Sequence, residues 1–384
     1  MRAFGMALFA SLICVAGVTA IGENDAANGS RLAELLGSGD DRGFARALQP
    51  RSFSFPQDHG PHPEYRNEWW YLTGNLDGDG GRRFGFELTF FRFALEPSMP
   101  ETDSNWRSNQ VYIAHLAITD AAGEKFYVAQ RYSRSALALA GAQAEPFRVW
   151  IDDWEISTES AENSNVWRLQ AGEREFGLDL LLTAVKPPVF NGIDGLSQKS
   201  AEPGNASYYY SITRWQTEGL LRIGSAQFRV SGLSWLDREW SSSALAADQL
   251  GWDWFALQLS DGTELMFYNL RRNDGRRDSH SAGTWIAANG EASHIDSGDL
   301  DIVVTDQWQS PSGGVYPAAW TLRLPKKSLT LNVRPILDNQ ELITTVRYWE
   351  GAVDLSGDRD GKTIGGRGYV ELTGYATATR GQWP

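Results

Sequence analysis

Asn67-Glu68-Trp69-Trp70-Tyr71-Leu72-Thr73-Gly74-Asn75-Leu76 decides the fold of this chain, because a degraded copy of it returns downstream. Trp254-Phe255-Ala256-Leu257-Gln258-Leu259-Ser260-Asp261-Gly262 aligns with Trp70-Tyr71-Leu72-Thr73-Gly74-Asn75-Leu76-Asp77-Gly78 at a constant offset, 254 − 70 = 184. The tryptophan, the Asp-Gly turn and the Tyr/Phe position are kept. Each copy then runs into a second apolar strand, at 84–91 and at 263–268. An aromatic strand, an Asp-Gly turn and another aromatic strand make a β-hairpin. One recurrence after about half the chain predicts two related β-domains rather than a short-period solenoid.

Outward from the first hairpin, strands are expected at 111–119, 125–128, 147–151, 166–170, 178–185, 208–215 and 227–236. Short strands with closely spaced turn signals describe an antiparallel sandwich or barrel. The polar break Ser241-Ser242-Ser243-Ala244-Leu245-Ala246-Ala247-Asp248 is read as the junction, giving domains at 52–243 and 244–384. The second half offers strands at 252–259, 264–270, 283–287, 301–305, 320–324, 328–333, 345–349 and 368–375. Asp261-Gly262, Asn289-Gly290 and Asp360-Gly361 suit hairpin turns. Fold class is therefore all-β, two tandem antiparallel barrels, each able to hold a small apolar ligand. The short junction predicts a fixed interface containing Trp240 and Trp252.

The N-terminus reads as an export signal at 1–20: Arg2, an apolar run from Met6 to Val18, and a small-residue cleavage site ending at Ala20. That run is shorter than the roughly 20 residues a spanning helix needs. A polar leader at 21–51 follows, with a short helix at 30–36 capped by Ser30 and stopped by Gly37. Next comes a Pro/His-rich arm, Phe55-Pro56-Gln57-Asp58-His59-Gly60-Pro61-His62-Pro63, unsuited to regular structure. The one cysteine, Cys14, lies in the signal, so the mature chain has no disulfide and no thiol nucleophile. The expected location is periplasmic or secreted, with no membrane span after cleavage. A net charge of −13 argues against nucleic acid as a partner. An aromatic share of 12%, with 16 Trp, favours an apolar ligand pocket.

Several motifs resemble one family. Glu68-Trp69-Trp70-Tyr71-Leu72-Thr73-Gly74-Asn75-Leu76, Tyr208-Tyr209-Tyr210-Ser211, Trp235-Leu236-Asp237-Arg238-Glu239-Trp240 and Ser281-Ala282-Gly283-Thr284-Trp285 are among them. Tyr348-Trp349-Glu350-Gly351-Ala352-Val353 and Gly368-Tyr369-Val370-Glu371-Leu372-Thr373-Gly374-Tyr375 complete the set. They resemble the lipocalin-like family of the attachment protein AttH and the bacterial carotenoid 1,2-hydratases, from about Phe53 to Tyr375. The resemblance implies two tandem calycin-type barrels, and either hydration of isoprenoid double bonds or an exported protein without established chemistry. It also implies an ABC-type permease as a partner and a secreted-hydrolase label. The hydratase branch has His where this chain has Arg238, which removes a possible proton relay.

Protonating an alkene needs a strong acid and a pocket that shelters the cation. Glu68, Asp237 and Glu239 are the candidate acids, each close to tryptophan in sequence. The structural alternative sets Arg238 over Trp69 or Trp70, neutralised by Glu239 or Asp237. His115, inside an apolar strand, is either a hydrogen-bonded core residue or a base. His59 and His62 are read as packing or solvated groups. Candidate ligand-binding aromatics are Trp69, Trp70, Tyr210, Trp240, Trp252 and Trp254. No HExxH, CxxC or facial-triad spacing is present, so no metal or other cofactor is expected, and no Gly-x-Ser-x-Gly elbow supports a hydrolase. Two functions stay open: a carrier of a lipid or isoprenoid, or a hydratase or isomerase of a polyene.

Overall fold

The computed structural model describes residues 41–376 except Pro100, Thr102, Ala161, Glu162 and Ala244. The expected export signal with its cysteine, and the short helix expected at 30–36, fall outside the described residues. Within them the regular structure is all-β, and helical segments are single 3₁₀ turns.

The first sheet runs in the spatial order Lys125–Arg134, Gln110–Asp120, Arg83–Ala94, Asn67–Gly78, Ala226–Ser241, Ala206–Ile223, Phe176–Ala184, Asn163–Gly172, Trp154–Ser160, Arg148–Ile151, Ala140–Gln143. Its two edges come back against each other, so it nearly closes into a barrel. The second sheet runs Ala292–Asp296, Ala282–Ile286, Glu264–Arg272, Gln249–Leu259, Lys362–Leu372, Arg347–Arg359, Leu329–Pro335, Val315–Leu324, Asp301–Gln309. All the pairings are antiparallel. At Asp360-Gly361, φ values of 52° and 73° give the left-handed two-residue turn that Asp-Gly favours.

The internal repeat is topological. In each sheet the first strand pairs with the second on one side and the last on the other. The offset of 184, however, aligns residues that face opposite ways: Trp70 points into the first barrel core and Trp254 between the sheets. Side chains alternate along a strand, so only an odd offset preserves facing. The bonds closing the two hairpins, from Gly78 N–H to Arg82 and from Leu259 N–H to Thr263, give 259 − 78 = 181.

Both faces of the central strands are buried. One face fills the barrels: Trp70, Trp167, Trp215 and Trp240 in the first, Phe255, Trp285, Trp320 and Trp349 in the second. The other face joins the barrels. Asn67–Gly78 lies against Lys362–Leu372, and Arg83–Ala94 against Arg347–Arg359. Backbone ends at this contact are claimed by side chains. Asn75 donates to the Gly368 carbonyl at 2.9 Å, and Gln258 to the Thr213 and Ser234 carbonyls at 2.7 and 3.0 Å. Trp252 belongs to this interface, packed on its apolar clusters. Trp240 does not. It sits in the first barrel with His62 stacked on it at 3.8 Å, because its parity along Ala226–Ser241 is that of Leu236.

Candidate functional site: an acidic aromatic cavity between the barrels

The alternation that buries both faces of Ala226–Ser241 sends Trp235, Asp237 and Glu239 toward the second barrel. There the two acids meet a cavity of about 70 Å³. The first sheet lines it with Trp69, Tyr71, Phe91 and Tyr209 beside the two acids. The second contributes Trp252, Trp254, Tyr268, Glu350 and Glu371. The aromatic cavity expected inside a barrel lies instead between the two barrels.

The acids are held unequally. Asp237 accepts hydrogen bonds from the Tyr209 hydroxyl, from Ser211 Oγ at 2.5 Å and from Trp235 Nε1 at 2.7 Å. Burial outweighs these donors and lifts its carboxyl to about 7. Glu371 is pushed up to about 8, by burial first and then by the charges of Asp237 and Glu239, with the Trp252 side chain opposing. Glu350 stands directly across the strand pair from Glu371 and accepts from the Tyr71 hydroxyl at 2.7 Å. Burial, then Glu371 and Glu87, lifts Glu350 well above the carboxylate range. Burial does the same to Glu87, behind it. Glu239 is tied down differently, by Ser207 Oγ at 2.5 Å and Lys199 Nζ at 3.3 Å. At neutral pH the cavity therefore carries a protonated Glu371 and a half-ionised Asp237 among aromatic faces.

Glu68 is on the other side of its strand and takes no part in this cavity. It is fully buried in the first barrel, ion-paired with both Arg92 and Arg238, and accepts from the His62 backbone N–H at 3.1 Å. Burial alone would raise its pKa, but the two guanidinium groups prevail and hold it well below the carboxylate range. A carboxylate so held has no proton to give near neutral pH. Arg238 lies 4.0 Å from the Trp70 ring centroid, and Glu68 neutralises it rather than Asp237 or Glu239. Its side chain faces the barrel core, so the exchange of histidine for Arg238 leaves the cavity wall untouched.

Trp69, Trp252 and Trp254 reach the cavity, whereas Trp70, Tyr210 and Trp240 pack inside the first barrel. His115 bonds the Tyr348 hydroxyl at 2.6 Å through Nδ1 and Gln130 at 3.0 Å through Nε2. Burial lowers it to about 3, so it is a neutral bridge between the barrels outside the cavity lining. The Pro/His arm is a plug. His59 takes the Tyr210 hydroxyl at 2.6 Å, and His62 spans Asp58 at 3.0 Å and Glu68 at 3.3 Å. Among the described residues no group of three or more His, Cys, Asp or Glu is placed to hold a metal ion. No helix there is long and apolar enough to cross a membrane.

Lys199, Tyr71, Tyr209, Glu350 and Glu371 were not among the sequence candidates. A signal existed: Glu350 between Trp349 and Gly351, and Glu371 between Val370 and Leu372, are lone carboxyls in apolar strands. A carboxyl there is either paired or protonated.

The model of the AttH-like family matches residues 46–375. An AttH-type protein from Nitrosomonas europaea is 33% identical in sequence, and the match covers 87% of this chain and 100% of that one with a TM-score of 0.76. Kievitone hydratase from Nectria haematococca shares the fold at 17% identity, with 87% of this chain and 97% of that one covered and a TM-score of 0.65. Comparison with curated proteins finds no match. The chain thus belongs to the AttH-like family, with the lipocalin-like two-barrel fold that kievitone hydratase also has.

Proposed function

We propose that the protein takes the end of an unsaturated, branched lipophile of the isoprenoid kind into the cavity and adds water to its double bond. The observation that carries this reading is the meeting of Asp237 and Glu371, with pKa values raised to about 7 and about 8, in an aromatic-walled space. Glu371, the less hydrogen-bonded of the two, is the acid. Its proton goes to the less substituted alkene carbon, and the cation left on the branched carbon faces indole and phenol rings. Water adds to that carbon and loses its proton to ionised Asp237. Acid and base roles follow from two carboxyls whose surroundings separate their pKa values. The fold shared with a hydratase supports the same class of reaction.

Incubation with branched alkenes in ¹⁸O-water tests this. The expected product is a tertiary alcohol carrying the label, with turnover cut about 10²–10⁴-fold in Glu371→Gln. No labelled alcohol from any isoprenoid alkene, or full turnover by both Glu371→Gln and Asp237→Asn, would refute it. A second reading is a carrier without chemistry, favoured by the three donors that satisfy Asp237. Its mark is a lipophile that co-purifies and returns unchanged. The apolar segment at 6–18 supports placing this activity in the cell envelope, where an ABC-type permease is a fitting partner. Fractionation and pull-down from solubilised membranes test those two points.

A further inference from the structure

The cavity already holds one cation. Lys199 Nζ lies 4.1 Å from the Tyr268 ring centroid and 5.2 Å from that of Tyr209, with Glu239 at 3.3 Å. One ammonium thus satisfies one carboxylate and two rings. Asp237, Glu350 and Glu371 line the same space, and among the described residues none of the three has an ion-pair partner. Aromatic faces remain beside them: Tyr71 and Trp254 meet edge to face at 5.1 Å, and Trp69 and Trp252 keep part of their surface in solvent. Rings with acids behind them form the arrangement that recognises quaternary ammonium groups.

We propose that this cavity binds a small organic ammonium ion with a branched alkyl head, and that a proton leaves the protein as the ion enters. The inference rests on the acid-and-aromatic reading of the cavity given above, but it requires no turnover. A neutral ligand leaves the protonation of the acids as it was. A cation favours their ionised forms, so a carboxyl of the Asp237, Glu350 and Glu371 group releases its proton to solvent. The other groups facing this space are Lys199, already paired with Glu239, and the phenols of Tyr71, Tyr209 and Tyr268, with Glu87 behind. The phenols of Tyr71 and Tyr209 stay neutral, since burial and neighbouring carboxylates raise them well above their ordinary value. The proton therefore comes from a carboxyl. A trialkylammonium head shares the positive charge and the alkyl branching of the tertiary cation in alkene hydration, so such ions are also expected to compete with an alkene substrate.

Choline and its neutral isostere 3,3-dimethylbutan-1-ol separate charge from shape. Calorimetric titration at pH 8.5 is expected to show choline binding about tenfold more tightly than the isostere. At pH 5.5 the preference shrinks, because the displaced proton must leave against a higher proton concentration. At pH 7, buffers of different ionisation enthalpy reveal release of up to one proton with choline and none with the alcohol. Glu371→Gln lowers that release, and Trp254→Leu weakens choline more than the isostere. Equal binding of both probes at every pH, no binding of either, or choline binding without proton release overturns the proposal. Choline binding with proton release but no alkene turned over leaves this inference standing and removes the hydratase reading. Turnover of alkenes without choline binding does the reverse.

Discussion

Two acidic clusters lie on opposite faces of the strand pair Asn67–Gly78 and Ala226–Ser241, and they behave oppositely. On the barrel face, Glu68 meets Arg92 and Arg238 and is held ionised. On the intersheet face, Asp237 and Glu371 meet aromatic rings and other carboxyls and are lifted to about 7 and about 8. Burial is common to both. The difference is the partner supplied by neighbouring strands: guanidinium groups on one face, more acids on the other. The first cluster is a structural lock and the second a reservoir of protons.

The sharpest way to break the contrast is to make the lock resemble the reservoir. Glu68→Gln leaves two buried guanidinium groups short of a counter-ion and is expected to cost about 3–5 kcal/mol in urea unfolding at pH 7. Trp240→Ala, beneath Arg238 on the same face, is expected to cost a similar 3–5 kcal/mol, leaving the cavity acids titrating as before. Glu371→Gln, in the reservoir, has the opposite sign. Folded Glu371 keeps its proton up to about 8, whereas the unfolded chain releases it near the ordinary glutamate value of 4.5. The native protein therefore loses stability as pH rises between those values. Glutamine avoids that loss, so the variant should melt higher than wild type at pH 8 and about equally at pH 4.5. Tyr209→Phe removes one donor from Asp237, with an expected cost of about 1–3 kcal/mol and an Asp237 titration above 7. Arg83→Ala, which opens the exposed pair with Asp354 across the barrels, should cost under about 1 kcal/mol.

The fold was readable because strand alternation and Asp-Gly turns are local signals, and the recurring hairpin marked two barrels. The register of the repeat was not. Where both faces of a strand are buried, as in Trp235-Leu236-Asp237-Arg238-Glu239-Trp240, the period of two sorts residues into two sets without saying which set faces which core. That ambiguity grouped Glu68 with Asp237 and Glu239, and Trp240 with Trp252. Glu350 and Glu371 face each other across the hairpin that turns at Asp360-Gly361, but only the packing of one barrel on the other brings them to a space shared with Lys199, Asp237 and Glu239. Trp69, Trp252, Trp254, Asp237 and Glu239 were within reach of the sequence because tryptophan beside a carboxyl already suggested a sheltered acid.

Between the barrels, Glu371 keeps its proton at neutral pH and Asp237 is at the midpoint of its titration. Carboxyl ¹³C resonances of Asp and Glu, followed from pH 4 to 9 in wild type, Glu371→Gln and Asp237→Asn, test it most directly. One Glu resonance is expected to titrate near 8 and to vanish in the first variant, and one Asp resonance near 7 to vanish in the second. Both resonances titrating below 5, in the ordinary carboxylate range, would contradict it.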